Sequence, residues 1–177
     1  MIGAHNRYNA VAAVAAAHHV GVPVQKAVNA LKTFKGVKRR LEIRGVVGGR
    51  TVYDDFAHHP TAIQATLTAL RRRVGSERII VLFEPRSNTM KRGVMRDRLP
   101  VSFISADFVY CYAKETPWDV AAQFEHAPVP SETCFDLDQM VDAVVAMSRP
   151  KDHIVVMSNG GFGGIIQKLL TRLMSLE

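Results

Sequence analysis

Three segments of the chain concentrate side chains able to do chemistry. The first, Tyr53-Asp54-Asp55-Phe56-Ala57-His58-His59-Pro60, sets two carboxylates and two imidazoles ahead of a helix start. Carboxylates there can bind Mg²⁺ or a sugar hydroxyl, and imidazoles can touch phosphate or transfer protons. The same residue types also serve as caps, with Asp55 or His59 satisfying a free amide of the following helix. Neighbouring histidines project differently, and no His-x-x-x-His or paired-cysteine spacing completes a zinc set. The second segment, Glu84-Pro85-Arg86-Ser87-Asn88-Thr89-Met90-Lys91-Arg92-Gly93, combines three cations with three short hydrogen-bonding side chains. A guanidinium holds a carboxylate through two parallel bonds, so this reads as a carboxylate or phosphate clamp, or else as a solvated basic loop. The third, Ser158-Asn159-Gly160-Gly161-Phe162-Gly163-Gly164, carries four glycines into a helix start. Glycines allow close backbone approach and helix-start amides can seat an anion. The dinucleotide pattern Gly-x-Gly-x-x-Gly is not completed, because Ile166 stands at its third glycine, and no Gly-x-x-x-x-Gly-Lys-Ser/Thr phosphate loop occurs.

The elements that must hold these segments are legible from periodicity. Leu41 to Val47 and Arg50 to Phe56, separated by Gly48-Gly49, form a hairpin signal. Arg78 to Phe83, Asp107 to Tyr112 and His153 to Met157 are continuous apolar runs, the pattern of strands buried on both faces of a parallel sheet. Helical patterns fall between them: Ile63, Leu67, Leu70 and Val74 line one face after His59-Pro60-Thr61, Leu137 to Met147 gives another, and Ile166, Leu169, Leu170 and Leu173 close the chain. This succession predicts an α/β fold, an open and mostly parallel sheet with helices on both faces and right-handed crossovers. Ligands of such sheets meet the loops at the carboxyl ends of the strands, where all three segments lie.

Ahead of the sheet, Asn6 to Val20 and Pro23 to Phe34 read as two helices stopped by Gly21 and Gly36. Val24, Ala27, Val28, Leu31 and Phe34 make an apolar stripe to bury. Two short helices with no strand before residue 40 make a poor core alone, so residues 1–36 are expected to belong to something that preceded them, and the chain to be cut. Residues 37–177 form the main domain.

Length and composition bound the class. The 177 residues are 47% hydrophobic and 22% charged, ordinary globular usage that excludes disorder and low complexity. Twenty-three Lys and Arg against 16 Asp and Glu leave +7, which favours anionic partners without choosing among them. A nucleic-acid-binding module is the rival from a different class, motivated by Lys38 to Arg40 and Arg71 to Arg73. Aromatics are only 7% and do not interleave with these cations as stacking platforms would. Arg71 to Arg73 are read as a solvated helix terminus, and His18, His19, His126 and His153 have no local partners. No apolar run approaches a membrane span and no signal peptide opens the chain. Cys111 and Cys134 both sit in apolar stretches as buried thiols, so no disulfide and no membrane are expected, and the compartment is cytoplasmic.

Taken in order, Gly3-Ala4-His5-Asn6-Arg7-Tyr8-Asn9-Ala10, then Phe34-Lys35-Gly36-Val37-Lys38-Arg39-Arg40-Leu41-Glu42, then Asp54 to Thr61, followed by the Phe83 to Lys91 and Met157 to Gly164 segments, resemble the Mur ligases. These are the ATP-dependent amide-forming enzymes of bacterial peptidoglycan assembly. The resemblance covers nearly the whole chain. It implies a three-domain parent: a UDP-binding domain, a central ATPase domain with the phosphate loop, and a Rossmann-like C-terminal domain. Residues 1–36 would be the helical end of the central domain and 37–177 the peptide-accepting C-terminal domain.

Carried over from the family, His5, Asn6 and Asn9 would hold the adenine, Arg40 would reach ATP phosphate, and Asp55 would meet the ribose or its surroundings. His58 and His59 would lie at the catalytic end near the acyl phosphate. Arg86, Ser87, Asn88, Thr89 and Lys91 would receive the peptide. The implied reaction joins UDP-N-acetylmuramate to the murein tripeptide L-Ala-γ-D-Glu-meso-diaminopimelate during peptidoglycan recycling, through an acyl phosphate, with ATP and Mg²⁺ held mainly by the central domain. The alternative within the family is addition of L-alanine. The family pattern places a histidine where Ile166 stands, which leaves that position's role open. The fragment alone is expected to fold without ligating.

Overall fold

Gly48 and Gly49 both adopt positive φ, 53° and 73°. Two consecutive left-handed residues match the twist of the flanking strands, and β1 (Glu42–Val47) therefore folds back antiparallel on β2 (Arg50–Asp55), with Val47 opposite Arg50. The computed structural model describes residues 3–114 and 116–176, and the side chains of His5, Thr89 and Lys91 also lie outside what it describes. Its other strands are β3 (Ile79–Phe83), β4 (Phe108–Tyr112), β5 (Ser131–Cys134) and β6 (His153–Met157). The helices are α1 (Ala4–His19), α2 (Val24–Leu31), α3 (Pro60–Val74), α4 (Asn88–Lys91), α5 (Val120–Phe124), α6 (Leu137–Met147) and α7 (Ile165–Met174).

The sheet runs β1-β2-β6-β3-β4-β5, and every pairing after the hairpin is parallel. This is the expected α/β architecture. All five residues of β3 are buried, as a central strand covered on both faces requires. Ile79, Val81 and Phe83 pack in the layer that holds Ile63, Leu67 and Leu70 of α3, while Ile80 and Leu82 face the layer of Met140, Val141, Val144, Leu169 and Leu173.

Three sequence expectations are corrected, for the closing helix, the α2 stripe and Arg71. The closing helix buries Ile165, Leu169 and Leu173, leaving Ile166 and Leu170 only partly covered. Gly163 and Gly164 are both at positive φ, so the helix starts at Ile165 and its inward row runs from there in four-residue steps. The α2 stripe is not buried: Val24, Val28, Leu31 and Phe34 are all exposed. α2 packs on the Ala-rich α1, and the two lie outside the layers of the sheet core. Arg71 is not a solvated terminus; it donates to the carbonyls of Gly75 (2.8 Å), Glu77 (2.7 Å) and Ser105 (3.2 Å) and pairs with Asp107, tying the end of α3 to the start of β4. His153 has partners far along the chain, Tyr53 Oη at 3.0 Å and Glu77 Oε2 at 2.8 Å. Both cysteines are buried thiols as expected. Strand β5 was not foreseen.

Candidate functional site

Parallel register brings the carboxyl ends of the strands into line: Asp55 pairs with Met157, Met157 with Phe83, and Phe83 with Cys111. The loops that follow them therefore open on one edge of the sheet. The 56–59, 84–87 and 158–164 segments become neighbours there, although up to a hundred residues separate them in sequence.

A cleft of about 890 Å³ lies between α1, the 34–41 connection and the first turns of α3. Asn6, Asn9, Arg40, Asp55 and His59 all line it, beside Ala10, Ala13, Leu31, Phe34, Val37 and Leu41. Asn9 Nδ2 donates to Asn6 Oδ1 at 3.5 Å. Asp55 is buried, and its carboxylate is committed to the backbone: Oδ2 accepts from the Leu41 amide at 2.7 Å and Oδ1 from the Ala57 amide at 2.8 Å. Burial raises its pKa above the ordinary carboxylate range, against the lowering effect of those two amides and of Arg40. Asp55 thus fixes the entrance of the connection to the end of β2. His59 caps α3, its Nδ1 accepting from the Thr61 amide at 3.3 Å, with Pro60 in the first turn. His58 does not line the cleft; its Nδ1 meets the Phe56 carbonyl at 3.0 Å and its ring lies edge-on to Phe56.

The basic loop sits apart from that cleft. Ser87 caps the short α4, accepting from the Met90 amide at 3.3 Å, and Arg86 and Asn88 are exposed. Arg86 lies against the turn after β6, so close that a Cβ on Gly160 would fall 2.6 Å from its Cδ and Nη1. Ser158 Oγ donates to Glu84 Oε2 at 2.5 Å and accepts from the Gly160 amide at 2.9 Å, which locks the glycine turn to the start of the basic loop. Trp118 Nε1 donates to the Met90 carbonyl at 2.8 Å, so the loop after β4 braces the same segment. Sequence reasoning passed over Glu84, Ser158, Trp118 and Arg39. Glu84 and Ser158 stand inside the basic and glycine-rich segments, but nothing local marks their pairing across 74 residues. Among the described residues no group of three His, Cys, Asp or Glu gathers as a metal-binding set.

The carboxyl edge of this open, mostly parallel sheet thus carries a largely apolar cleft set with a few polar groups and, apart from it, an arginine-bearing loop. The chain belongs to the Mur ligase family: residues 39–160 match its glutamate ligase domain. It is 53% identical over 98% of its length to the UDP-N-acetylmuramate–L-alanyl-γ-D-glutamyl-meso-2,6-diaminoheptandioate ligase of Escherichia coli K12, covering 38% of that protein. The crystal structure of a murein peptide ligase from Psychrobacter arcticus superposes with a TM-score of 0.78 at 40% identity, over 98% of this chain and 38% of that one. The UDP-N-acetylmuramate–L-alanine ligase of Acidobacterium capsulatum is 35% identical, over 98% of this chain and 39% of that protein. The chain therefore spans well under half the length of these relatives. Among the described residues no helix is long and apolar enough to cross a membrane.

Proposed function

We propose that the chain is the C-terminal part of a cytoplasmic ATP-dependent ligase that joins UDP-N-acetylmuramate to L-Ala-γ-D-Glu-meso-diaminopimelate in peptidoglycan recycling. Residues 1–36 then complete the central ATPase domain and 37–177 accept the peptide. The observation that carries this reading is the pairing of a cleft lined by Asn6, Asn9, Arg40 and His59 with a separate cationic loop at Arg86, on one edge of the sheet. Identity of 53% to the tripeptide ligase, against 35% to the L-alanine ligase, favours the larger acceptor.

The cleft has the chemistry of a nucleotide site. Alanines, Leu31 and Phe34 offer apolar walls to a purine, Asn6 and Asn9 offer amide donors and acceptors, and Arg40 supplies a cation for a phosphate. ATP would supply the phosphoryl group that activates the muramyl carboxylate as an acyl phosphate. This chain contributes position and charge: Asp55 and His59 hold the backbone that carries Arg40 and opens α3, and Arg86 grips a peptide carboxylate so that the peptide amine faces the activated carbonyl. Ser87 and Asn88 add short hydrogen-bonding groups beside it, and Thr89 and Lys91 belong to the same loop. His58, turned onto Phe56, orders its own 56–59 segment. Mg²⁺ in this scheme is held by residues outside the chain.

The test is ADP formation by the complete ligase with both substrates supplied. Release that requires UDP-N-acetylmuramate together with the tripeptide supports the reading, whereas release with L-alanine in place of the tripeptide selects the alternative. The 177-residue chain alone is expected to form no ADP.

A further inference from the structure

Arg39 lies between the cleft and the basic loop and touches the supports of both. Its Nη2 donates to the carbonyls of Ser158 (2.6 Å) and Gly160 (2.8 Å), its Nε pairs with Asp54 at 3.3 Å, and the guanidinium stands 5.2 Å above the Phe56 ring. The backbone of the same residue is held as tightly. Its amide donates to Glu42 Oε2 at 2.8 Å and its carbonyl accepts from the Phe56 amide at 2.8 Å. Arg39 keeps a left-handed φ of 58°, and Leu41, tied to Asp55, keeps one of 47°. Non-glycine residues hold that conformation only where surrounding contacts over-determine it.

The two ends of this set of contacts lead to different parts of the proposed site. Toward the cleft, Arg40 is the next residue, and Asp55 fixes the same turn through Leu41. Toward the peptide side, the carbonyls held by Arg39 belong to the turn that locks Glu84 through Ser158 and meets Arg86 at Gly160. A planar guanidinium can span two carbonyls and a carboxylate at once while stacking on a ring; an ammonium cannot.

We infer that Arg39 is a positioning residue that couples the two half-sites, setting the distance from the Arg40 cleft to the Arg86 loop. The inference rests on the ligase reading for its catalytic consequence, but its structural content is independent of it. Two measurements separate these. In the 177-residue chain, R39A should speed amide exchange at Phe56 and Gly160 together by at least about tenfold, the effect of losing a shared latch, with Val141 and Val144 of α6 unchanged. Exchange that rises at only one of the two amides overturns the coupling, whatever reaction the protein performs. In the complete ligase, R39A should raise the tripeptide KM and lower kcat by about tenfold each, leave the UDP-N-acetylmuramate KM unchanged, and regain kcat when millimolar guanidinium ion is added but not with ammonium. Should R39A fail to fold, R39K keeps the charge without the fork and should show the same KM and kcat changes. Wild-type tripeptide KM in a folded variant, or restoration by R39K, contradicts the inference. Absence of tripeptide-dependent ADP in the wild-type ligase instead sinks the proposed function and leaves the exchange result to stand alone.

Discussion

Replacing Gly160 with alanine should separate peptide affinity from stability. The new Cβ would meet Arg86 at 2.6 Å from Cδ and Nη1 and 2.8 Å from Nε, distances that force a shift. What moves is the far end of an exposed side chain, and Gly160 is not among the positive-φ glycines, so the backbone tolerates alanine. Alanine also narrows the unfolded ensemble, worth about 0.4–1 kcal/mol in favour of folding where the conformation is compatible. Net stability should therefore stay within about 1 kcal/mol of the parent. The guanidinium, however, leaves the position from which it would grip a carboxylate. Losing a hydrogen bond to a charged group costs about 1.5–3 kcal/mol, which is roughly 10- to 150-fold in tripeptide KM. The assay is thermal unfolding of the chain alongside steady-state kinetics of the complete ligase for G160A, R86A and the double variant. Because both single changes act on one side chain, the double variant should be no worse than R86A. Additive losses, or an unchanged KM in G160A, would show that Arg86 does not bind peptide from this position.

Two other outcomes follow from the same geometry. D55N keeps the size of a side chain whose two oxygens each accept a backbone amide, but turns one acceptor into a donor facing an N–H; it should lose about 1–3 kcal/mol in urea unfolding, and a variant as stable as the parent would show that these bonds do not hold the connection. Tyr110 is buried with its hydroxyl on Met147 Sδ, and burial, then the Glu132 and Cys134 charges, push its pKa up to about 12. The unfolded chain ionises first, near 10, so this residue's contribution is full below that pH and fades as pH rises toward 12, by on the order of 2–3 kcal/mol. Y110F should remove that part of the alkaline decline and leave the part due to the two thiols, Cys134, raised to about 11, and Cys111, raised further by complete burial. Parallel stability curves for Y110F and the parent between pH 9.5 and 11.5 would refute the assignment.

What could be read from the sequence follows the range of the interactions. The Gly48-Gly49 hairpin, the buried β3 run and helix α6 are local: turn geometry and periodicity within a dozen residues determine them. Strand β5 was invisible because only Cys134 of its four residues is buried, so neither alternation nor a continuous apolar run marks it. The α2 stripe was legible as a pattern while its destination was not, since periodicity says that a face is apolar and nothing about what covers it. Asn6, Asn9, Arg40, Asp55 and His59, which the family resemblance singles out, line a common cleft. Arg39 was passed over beside Arg40 because its partners lie about 120 residues away. Arg71 reads as solvated for a related reason, since a run of like charges looks exposed until tertiary contacts supply its acceptors, and the distant partners of His153 leave no local mark either.

The most direct test of the central claim is a transplant. In the E. coli tripeptide ligase, the C-terminal segment that aligns with this chain at 53% identity would be replaced by residues 1–177. The folded chimera is expected to form ADP when UDP-N-acetylmuramate and the tripeptide are both supplied, and none when L-alanine replaces the tripeptide. A folded chimera that binds nucleotide yet ignores the tripeptide, or that accepts L-alanine instead, would contradict it.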